Sequence, residues 1–504
     1  MNTGKKLLKD TVLLGATNLA LGAADMLLQI WLAARIGKEG VGLYALIGSV
    51  YLFATTFAVS GISLSTTRII TETVSRNGSA DEVPSRMRRL LAFCALLGMA
   101  AGVLMFLLAP AAGRSVSSDV RTILCFRILA PALPFMSLTS CFGGFFLAER
   151  KASKAAAAAA GEDLFEIALI VFLFLRFPPQ SAGSGCVLLA VAKTASEVVG
   201  TLFSFFLYCK DRNTLLKKKT SGPVLREFVR VGGPVAAGSY LRSGLTTLEN
   251  LLIPVGLMRY GFSETGALAL VGTLKGLVLP ALFFPSVMIG SFTRVLIPEI
   301  TDAYSSGQQR AIDRSGEKIL GITASFAAVV WAIFTVFSRS LSLQIAGDAG
   351  SGIYFRLLAP LIPMMYLDGV VDGILKGMDE QFAVVRFSLY ETVLRVLTVW
   401  LILPRTGTAG FLLTLLAGNS INAVLSLRHL LKKTNIRIHP WRMLLLPGIA
   451  SLTSSLAVLI LFRVLLPAEE SLFCFFGIPL SLLGTFGLLH AAGILPARKK
   501  RHAS

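Results

Sequence analysis

The chain has 504 residues, of which 54% are hydrophobic and 15% charged, with a mean hydropathy of +0.72. Soluble domains carry about 25% charged residues, so this composition excludes an ordinary soluble fold. The net charge of +20 would suit a nucleic-acid binder. Its cations sit in short loops between apolar segments, however, and that is the pattern of membrane loops, so no nucleic-acid partner is expected.

A helix that crosses a bilayer needs about 20 mostly apolar residues, and about fourteen such segments follow one another along the chain. The predicted fold is an all-α polytopic membrane protein. The first segment, 11–35, is too long for a signal-peptide core and is read as a retained membrane helix. Segments 41–71, 88–109, 120–147, 152–176 and 185–209 complete a six-helix lobe within 1–215. Segments 228–258, 264–297, 317–338, 351–376, 382–403 and 407–430 form a second lobe within 216–435. Two further segments, 442–463 and 470–494, precede a basic tail and make up 436–504.

Alternating the loops across the membrane places Lys5, Lys6, Lys9, Arg76, Arg86, Arg88, Arg89, Lys217–Lys219, Lys432, Lys433 and Arg498–Arg501 on one side. Roughly 32 Lys and Arg fall on that side and about 9 on the other, which predicts cytoplasmic N- and C-termini in a bacterial cell membrane. The six cysteines stand singly in apolar stretches and read as buried small hydrophobes.

The two lobes repeat each other in sequence. Asp25-Met26-Leu27-Leu28 followed by Arg35-Ile36-Gly37 matches Glu249-Asn250-Leu251-Leu252 followed by Arg259-Tyr260-Gly261. Phe126-Arg127-Ile128-Leu129-Ala130-Pro131 matches Phe355-Arg356-Leu357-Leu358-Ala359-Pro360, and Leu164-Phe165-Glu166 matches Leu389-Tyr390-Glu391. Six spans separate equivalent positions, so both repeats insert in one orientation, related by a pseudo-twofold axis along the membrane normal. Paired lobes of this kind form transporters whose substrate sites lie at the repeat interface near the midplane. Duplication within one chain makes a monomer the expected functional unit.

The run Arg35-Ile36-Gly37-Lys38-Glu39-Gly40-Val41-Gly42-Leu43-Tyr44, followed by Ser60-Gly61-Ile62-Ser63, resembles the opening of the stage V sporulation protein B-like flippases. Phe284-Pro285 and Leu296-Ile297-Pro298-Glu299 resemble their eighth helix. These are polysaccharide-type members of the MATE-like (multidrug/oligosaccharidyl-lipid/polysaccharide) exporter superfamily, which also contains the lipid II flippase. The resemblance covers essentially the whole chain. It implies export of an undecaprenyl-pyrophosphate-linked saccharide, such as a cell-wall or peptidoglycan precursor, in a spore former. Unlike the lipid II flippase, this chain carries no arginine inside its first span.

Charges inside membrane spans cost about 2.5–3.5 kcal/mol each on insertion scales and therefore mark partners or wet cavities. Arg242 lies near the middle of the seventh span, and Lys275 roughly 15 Å into the eighth. Both are candidate ligands for an anionic, lipid-linked head group, with an internal pair, for example to Glu249, as the structural alternative. Arg68 and Arg294 fall near cytoplasmic helix ends, where they anchor to membrane-lipid phosphates or admit the head group. Asp25 and Glu249 are equivalent acids and candidates for Na⁺ or H⁺ coupling. Asp368 and Asp372, one turn apart and special to the second lobe, could form a hard-oxygen cation site with Asn419 and Asn422, or could face cytoplasmic water. Glu166 and Glu391 recur in both lobes and read as scaffold acids pairing with Lys193 and Arg395. The fourth helices, with Pro131/Pro134 and Pro360/Pro363, should bend.

No HExxH, Walker A or GxSxG sequence occurs, so no catalytic residue, resident metal or cofactor is expected. The alternatives to a flippase are a cation-coupled multidrug or metabolite exporter of the same fold and a non-transporting membrane scaffold. A flippase calls for a cationic cavity, an exporter for a mixed or acidic one, and a scaffold for none.

Overall fold

The computed structural model describes residues 2–77, 83–212, 224–465 and 476–491. Lys217–Lys219, Cys474 and Arg498–Arg501 lie outside the described residues, as do the side chains of Lys5, Lys6, Lys9, Arg76 and Arg294. The described residues are overwhelmingly helical and contain no strand. In hydrocarbon every backbone N–H and C=O must be satisfied within its own segment, and helices do this. Eight described helices are long and apolar enough to cross a membrane, or nine when one bent pair is counted as a span. Helices 152–176, 224–260 and 381–401 have the length but are interrupted by charged and polar side chains.

Two compact units emerge from the packing, Trp31–Gly272 and the discontinuous Met1–Ile30 with Thr273–Ser504. The first holds the distal part of α1 (Asn2–Val59), then α2 (Ile62–Asn77), α3 (Val83–Val116), α4 (Arg121–Leu129), α5 (Ala132–Ala148), α6 (Ala152–Arg176), α7 (Ala182–Arg212), α8 (Val224–Tyr260) and α9 (Glu264–Val271). Helices α2, α3, α5 and α8 meet around a dry core that includes Ile62, Ile69, Met87, Leu90, Phe145 and Phe228. Lobes read from a repeat are defined by resemblance, whereas these units are defined by packing. Helix α8 packs with the helices before it in the chain.

The discontinuous unit continues from a π-helical stretch, Gly272–Val278, into α10 (Leu279–Phe283), α11 (Ser286–Ser305), α12 (Gln309–Val336), α13 (Ser338–Ala346), α14 (Gly352–Leu358), α15 (Leu361–Gly377), α16 (Gln381–Leu401), α17 (Leu403–Thr406) and α18 (Thr408–Lys433). Helices α19 (Leu446–Leu465) and α20 (Ile478–Ala491) pack on each other, and α19 also packs on α12. Ile289, Ile312, Val370, Val371, Ile374 and Leu430 form a buried apolar core in this unit.

Two expected spans are divided where the sequence shows no break. Segments 11–35 and 41–71 are separated as expected, since Gly37, non-helical at φ 72 and ψ 169, is a kink where two helices meet within α1, and a further break at Ser60-Gly61 falls inside the expected 41–71 span. The expected 264–297 span is divided by the π-helical stretch and again before Pro285, which caps α11. The fourth helices do break where the prolines stand, at Ala130-Pro131 and at Ala359-Pro360. In the second of these, α14 and α15 diverge by 50°. The repeat also shows in backbone geometry, since Arg150 (φ 56) and Asp379 (φ 62) adopt the same rare left-handed turn after α5 and α15.

Cys94, Cys125, Cys141 and Cys186 are buried and Cys209 is half-buried, all as free thiols. Large side chains such as Leu107, Leu175, Phe206 and Leu483 are exposed, as lipid-facing positions should be.

Candidate functional site

A cavity of about 530 Å³ opens within the 31–272 unit. One wall is the end of α1 and the residue after it, contributing Leu52, Thr55, Thr56, Val59 and Ser60. The opposite wall is α8, contributing Ser239, Arg242, Ser243 and Thr246, and Met136 of α5 completes the lining. Both sets recur at helical spacing of three and four residues, so each helix presents one stripe to the cavity. The stripes are polar because Thr and Ser alternate with aliphatic residues on these turns. Arg242 is exposed, and it supplies the only charged side chain among the described lining residues.

The walls are held by short polar contacts. Thr56 Oγ1 donates to Ser243 Oγ at 3.1 Å, Thr247 Oγ1 to the Ser49 carbonyl at 2.9 Å, and the Tyr240 hydroxyl to the Phe57 carbonyl at 3.3 Å. On the α5 side, Ser137 Oγ donates to the Ala58 carbonyl at 2.9 Å and the Tyr51 hydroxyl approaches Met136 Sδ at 3.2 Å. A guanidinium offers paired N–H donors that fit phosphate, and hydroxyls both donate and accept, so the lining can recognise an anion joined to a polyhydroxylated group.

The same unit contains a half-buried ion cluster. Lys193 Nζ of α7 lies 3.0 Å from Glu166, 3.0 Å from Glu197 and 3.8 Å from Glu162. The expected Lys193–Glu166 pair is therefore present, but two further carboxylates join it. In the discontinuous unit the expected partner of Glu391 is also found, with Arg395 at 3.3 Å. The repeat offset that takes Glu166 to Glu391 takes Lys193 to Gly418 and Glu197 to Asn422. The cation is thus relocated from one helix to another: Arg395 lies over Gly418, where an added Cβ would meet its side chain at 2.6 Å.

Beside this pair, Asn422 Nδ2 donates to Asp368 Oδ2 at 2.8 Å, and Ser426 Oγ donates to Asp372 Oδ1 at 3.4 Å. Asp368 Oδ1 and Asn422 Oδ1 are buried oxygens with no hydrogen-bond donor. Asn419 donates its amide to the Leu415 carbonyl of its own helix at 2.7 Å.

The other sequence candidates lie on several helices. Lys275 is half-buried in the π-helical stretch, Glu249 is buried on α8, and Asp25 is exposed on α1. Arg68 is exposed and paired with Glu72 at 2.9 Å, one turn along α2. Arg294 lies on α11, with its side chain outside the described residues. Sequence reasoning missed the hydroxyls around Arg242, and also Glu162 and Glu197. The available signal was spacing: Ser239, Ser243 and Thr246 share a face with Arg242, and Glu162 and Glu197 lie one turn from Glu166 and Lys193.

Stage V sporulation protein B of Bacillus subtilis (strain 168) is 20% identical to this chain over 422 residues, covering 82% of this chain and 81% of that protein. Sporulation protein YkvU of the same organism is 21% identical over 360 residues, covering 70% of this chain and 79% of that one. The inward closed conformation of the lipid II flippase MurJ superposes with a TM-score of 0.71 at 11% identity, over 95% of this chain and 98% of the other. An inward-facing multidrug resistance MATE family transporter of the MOP superfamily gives 0.65 at 17% identity, over 82% and 94%. The fold is therefore that of MOP-superfamily transporters, in a multi-pass membrane protein. The sequence profile of the polysaccharide biosynthesis protein family matches residues 7–304, more than half of the chain, which therefore belongs to that family.

Proposed function

We propose that this protein moves an undecaprenyl-pyrophosphate-linked saccharide across the bacterial cytoplasmic membrane by alternating access, with the head group received at Arg242. The carrying observation is the cavity itself: one guanidinium among six hydroxyls, in a fold shared with a lipid II flippase. Arg242 suits the pyrophosphate and Thr55, Thr56, Ser60, Ser239, Ser243 and Thr246 suit the sugar. Among the described residues the lining carries no carboxylate, which disfavours a cationic drug as cargo.

In this reading both termini are cytoplasmic, following the charge bias of the loops. Arg68 and Arg294 meet the phosphates of substrate or lipid at that face, and Lys275 is a second head-group ligand. Asp368 and Asn422, with Asp372 beside them, are the leading group for coupling to Na⁺ or H⁺. Their two unsatisfied oxygens would be satisfied by a hard cation or by one proton. Asp25 and Glu249 are each a further coupling candidate. Depletion of the protein in its host, followed by mass spectrometry of undecaprenyl-linked lipids, tests the assignment. Saccharide-bearing pyrophosphate lipids should accumulate, and the reading fails if none does and no wall or polysaccharide defect follows.

A further inference from the structure

The cavity lies between two places where helices touch backbone to backbone. Ten residues before Leu52 on α1, a Cβ at Gly42 would collide with the Leu268 carbonyl of α9. A Cβ at Gly272 would likewise collide with the Lys38 carbonyl of α1. At the other end, directly after Ser60, Gly61 (φ 80) meets Gly232 of α8. A Cβ at Gly61 would stand 2.7 Å from the Gly232 carbonyl oxygen, and one at Gly232 would stand 2.5 Å from Ser65 Oγ. Each seam is backed by separable polar contacts. Near the first, the Glu264 carboxylate accepts from Ser117 Oγ at 2.8 Å, the Ser118 amide at 2.9 Å and Ser118 Oγ at 2.7 Å. At the second, Ser65 Oγ donates to the Phe228 carbonyl at 3.1 Å, Phe228 sits edge-on to Phe93, and Arg86 stands 3.9 Å from Glu227.

We propose that these two glycine seams are the gates of the cavity, Gly42–Gly272 toward the outer face and Gly61–Gly232 toward the cytoplasm. The proposal rests on the transport reading and topology above. Its physical basis is shape. Glycine contacts let two helices close without interdigitating side chains, so a seam opens by separating flat surfaces rather than by withdrawing knobs from holes. The backing contacts are three hydrogen bonds to the Glu264 carboxylate at the outer seam, and one hydrogen bond and one long ion pair at the inner seam, all of which water can replace on opening. Phe228, seated in the core formed by α2, α3 and α5, is among the described residues the one side-chain knob that the inner seam must withdraw on opening. Permanent packing contacts would use the same residue type but would not respond in a side-specific way.

The test uses the full-length protein with its six native cysteines replaced and a single reporter, Ser239→Cys, in the cavity wall. Labelling by a membrane-impermeant maleimide is followed in right-side-out and in inside-out vesicles. Gly232→Leu should raise labelling several-fold from the cytoplasmic side only, and Gly42→Leu several-fold from the outer side only. Gly48→Leu is the control on the same helix, because an added Cβ there meets nothing within 4 Å, and it should change neither rate. Should a leucine variant fail to insert, Gly232→Ala and Gly42→Ala report the same asymmetry at smaller amplitude. A rise from both sides at once, or no change in protein that remains monodisperse, overturns the gates. Side-specific labelling in a protein whose depletion accumulates no saccharide-lipid upholds the gates and removes only the substrate assignment.

Discussion

Arg242 and Lys193 are both buried-segment cations, yet they are placed oppositely. Arg242 is turned to a cavity, whereas Lys193 is enclosed by carboxylates. The difference could not be read from either residue alone, since each is simply a cation in an apolar run. The partners Glu166 and Glu391 were legible because they recur across the repeat, while Glu162 and Glu197 were not, because neither has an acidic counterpart: those positions hold Phe387 and Asn422. Removing the Lys193 ammonium leaves three carboxylates facing one another in a low-dielectric interior. Lys193→Met should therefore lower stability by about 3–5 kcal/mol, the usual penalty for breaking a buried ion pair, with Lys193→Arg milder. Thermal unfolding of the purified protein in detergent measures this, and a melting temperature equal to that of the parent would contradict the cluster's structural role.

At the scale of elements, the long spans were legible because hydrocarbon demands runs of apolar residues, and the prolines marked where the fourth helices break. The break at Ser60-Gly61 inside the second span was not, because its flanks carry no charge or proline. Gly37 makes the kink between the first two spans at φ 72 and ψ 169, a conformation almost confined to glycine. An added Cβ at Gly37 meets nothing within 4 Å, so Gly37→Ala isolates backbone strain and should cost about 1–3 kcal/mol in equilibrium unfolding. The turn between α15 and α16 offers a pH test. Glu380 is held below the ordinary glutamate range, first by its hydrogen bond to Lys433 (2.7 Å) and then by that to His429 (3.2 Å). A carboxylate lowered on folding adds stability above its unfolded value and loses it as pH falls through its folded value. Melting temperatures measured across the acid range should accordingly fall more steeply for the parent than for Glu380→Gln.

For the whole molecule, membrane embedding and helical class follow from composition and spacing, and the family match and the fold comparison agree with them. The site was only half visible. A lone arginine in a span announces itself by its insertion cost, but serines and threonines are cheap in helices and gave no signal that they surround it. The association of α8 with the preceding helices was also invisible, because it depends on close backbone approach rather than on any motif. The central claim is that a lipid-linked saccharide crosses through the Arg242 cavity. The most direct measurement is the rate at which a fluorescent undecaprenyl-pyrophosphate-linked saccharide changes leaflet in proteoliposomes. The account predicts transfer dependent on the protein, reduced at least tenfold in Arg242→Ala and partly retained in Arg242→Lys, since one lost charge-assisted contact is worth about 1.5–3 kcal/mol. Equal rates for the parent and Arg242→Ala, or for protein-containing and empty vesicles, would contradict it.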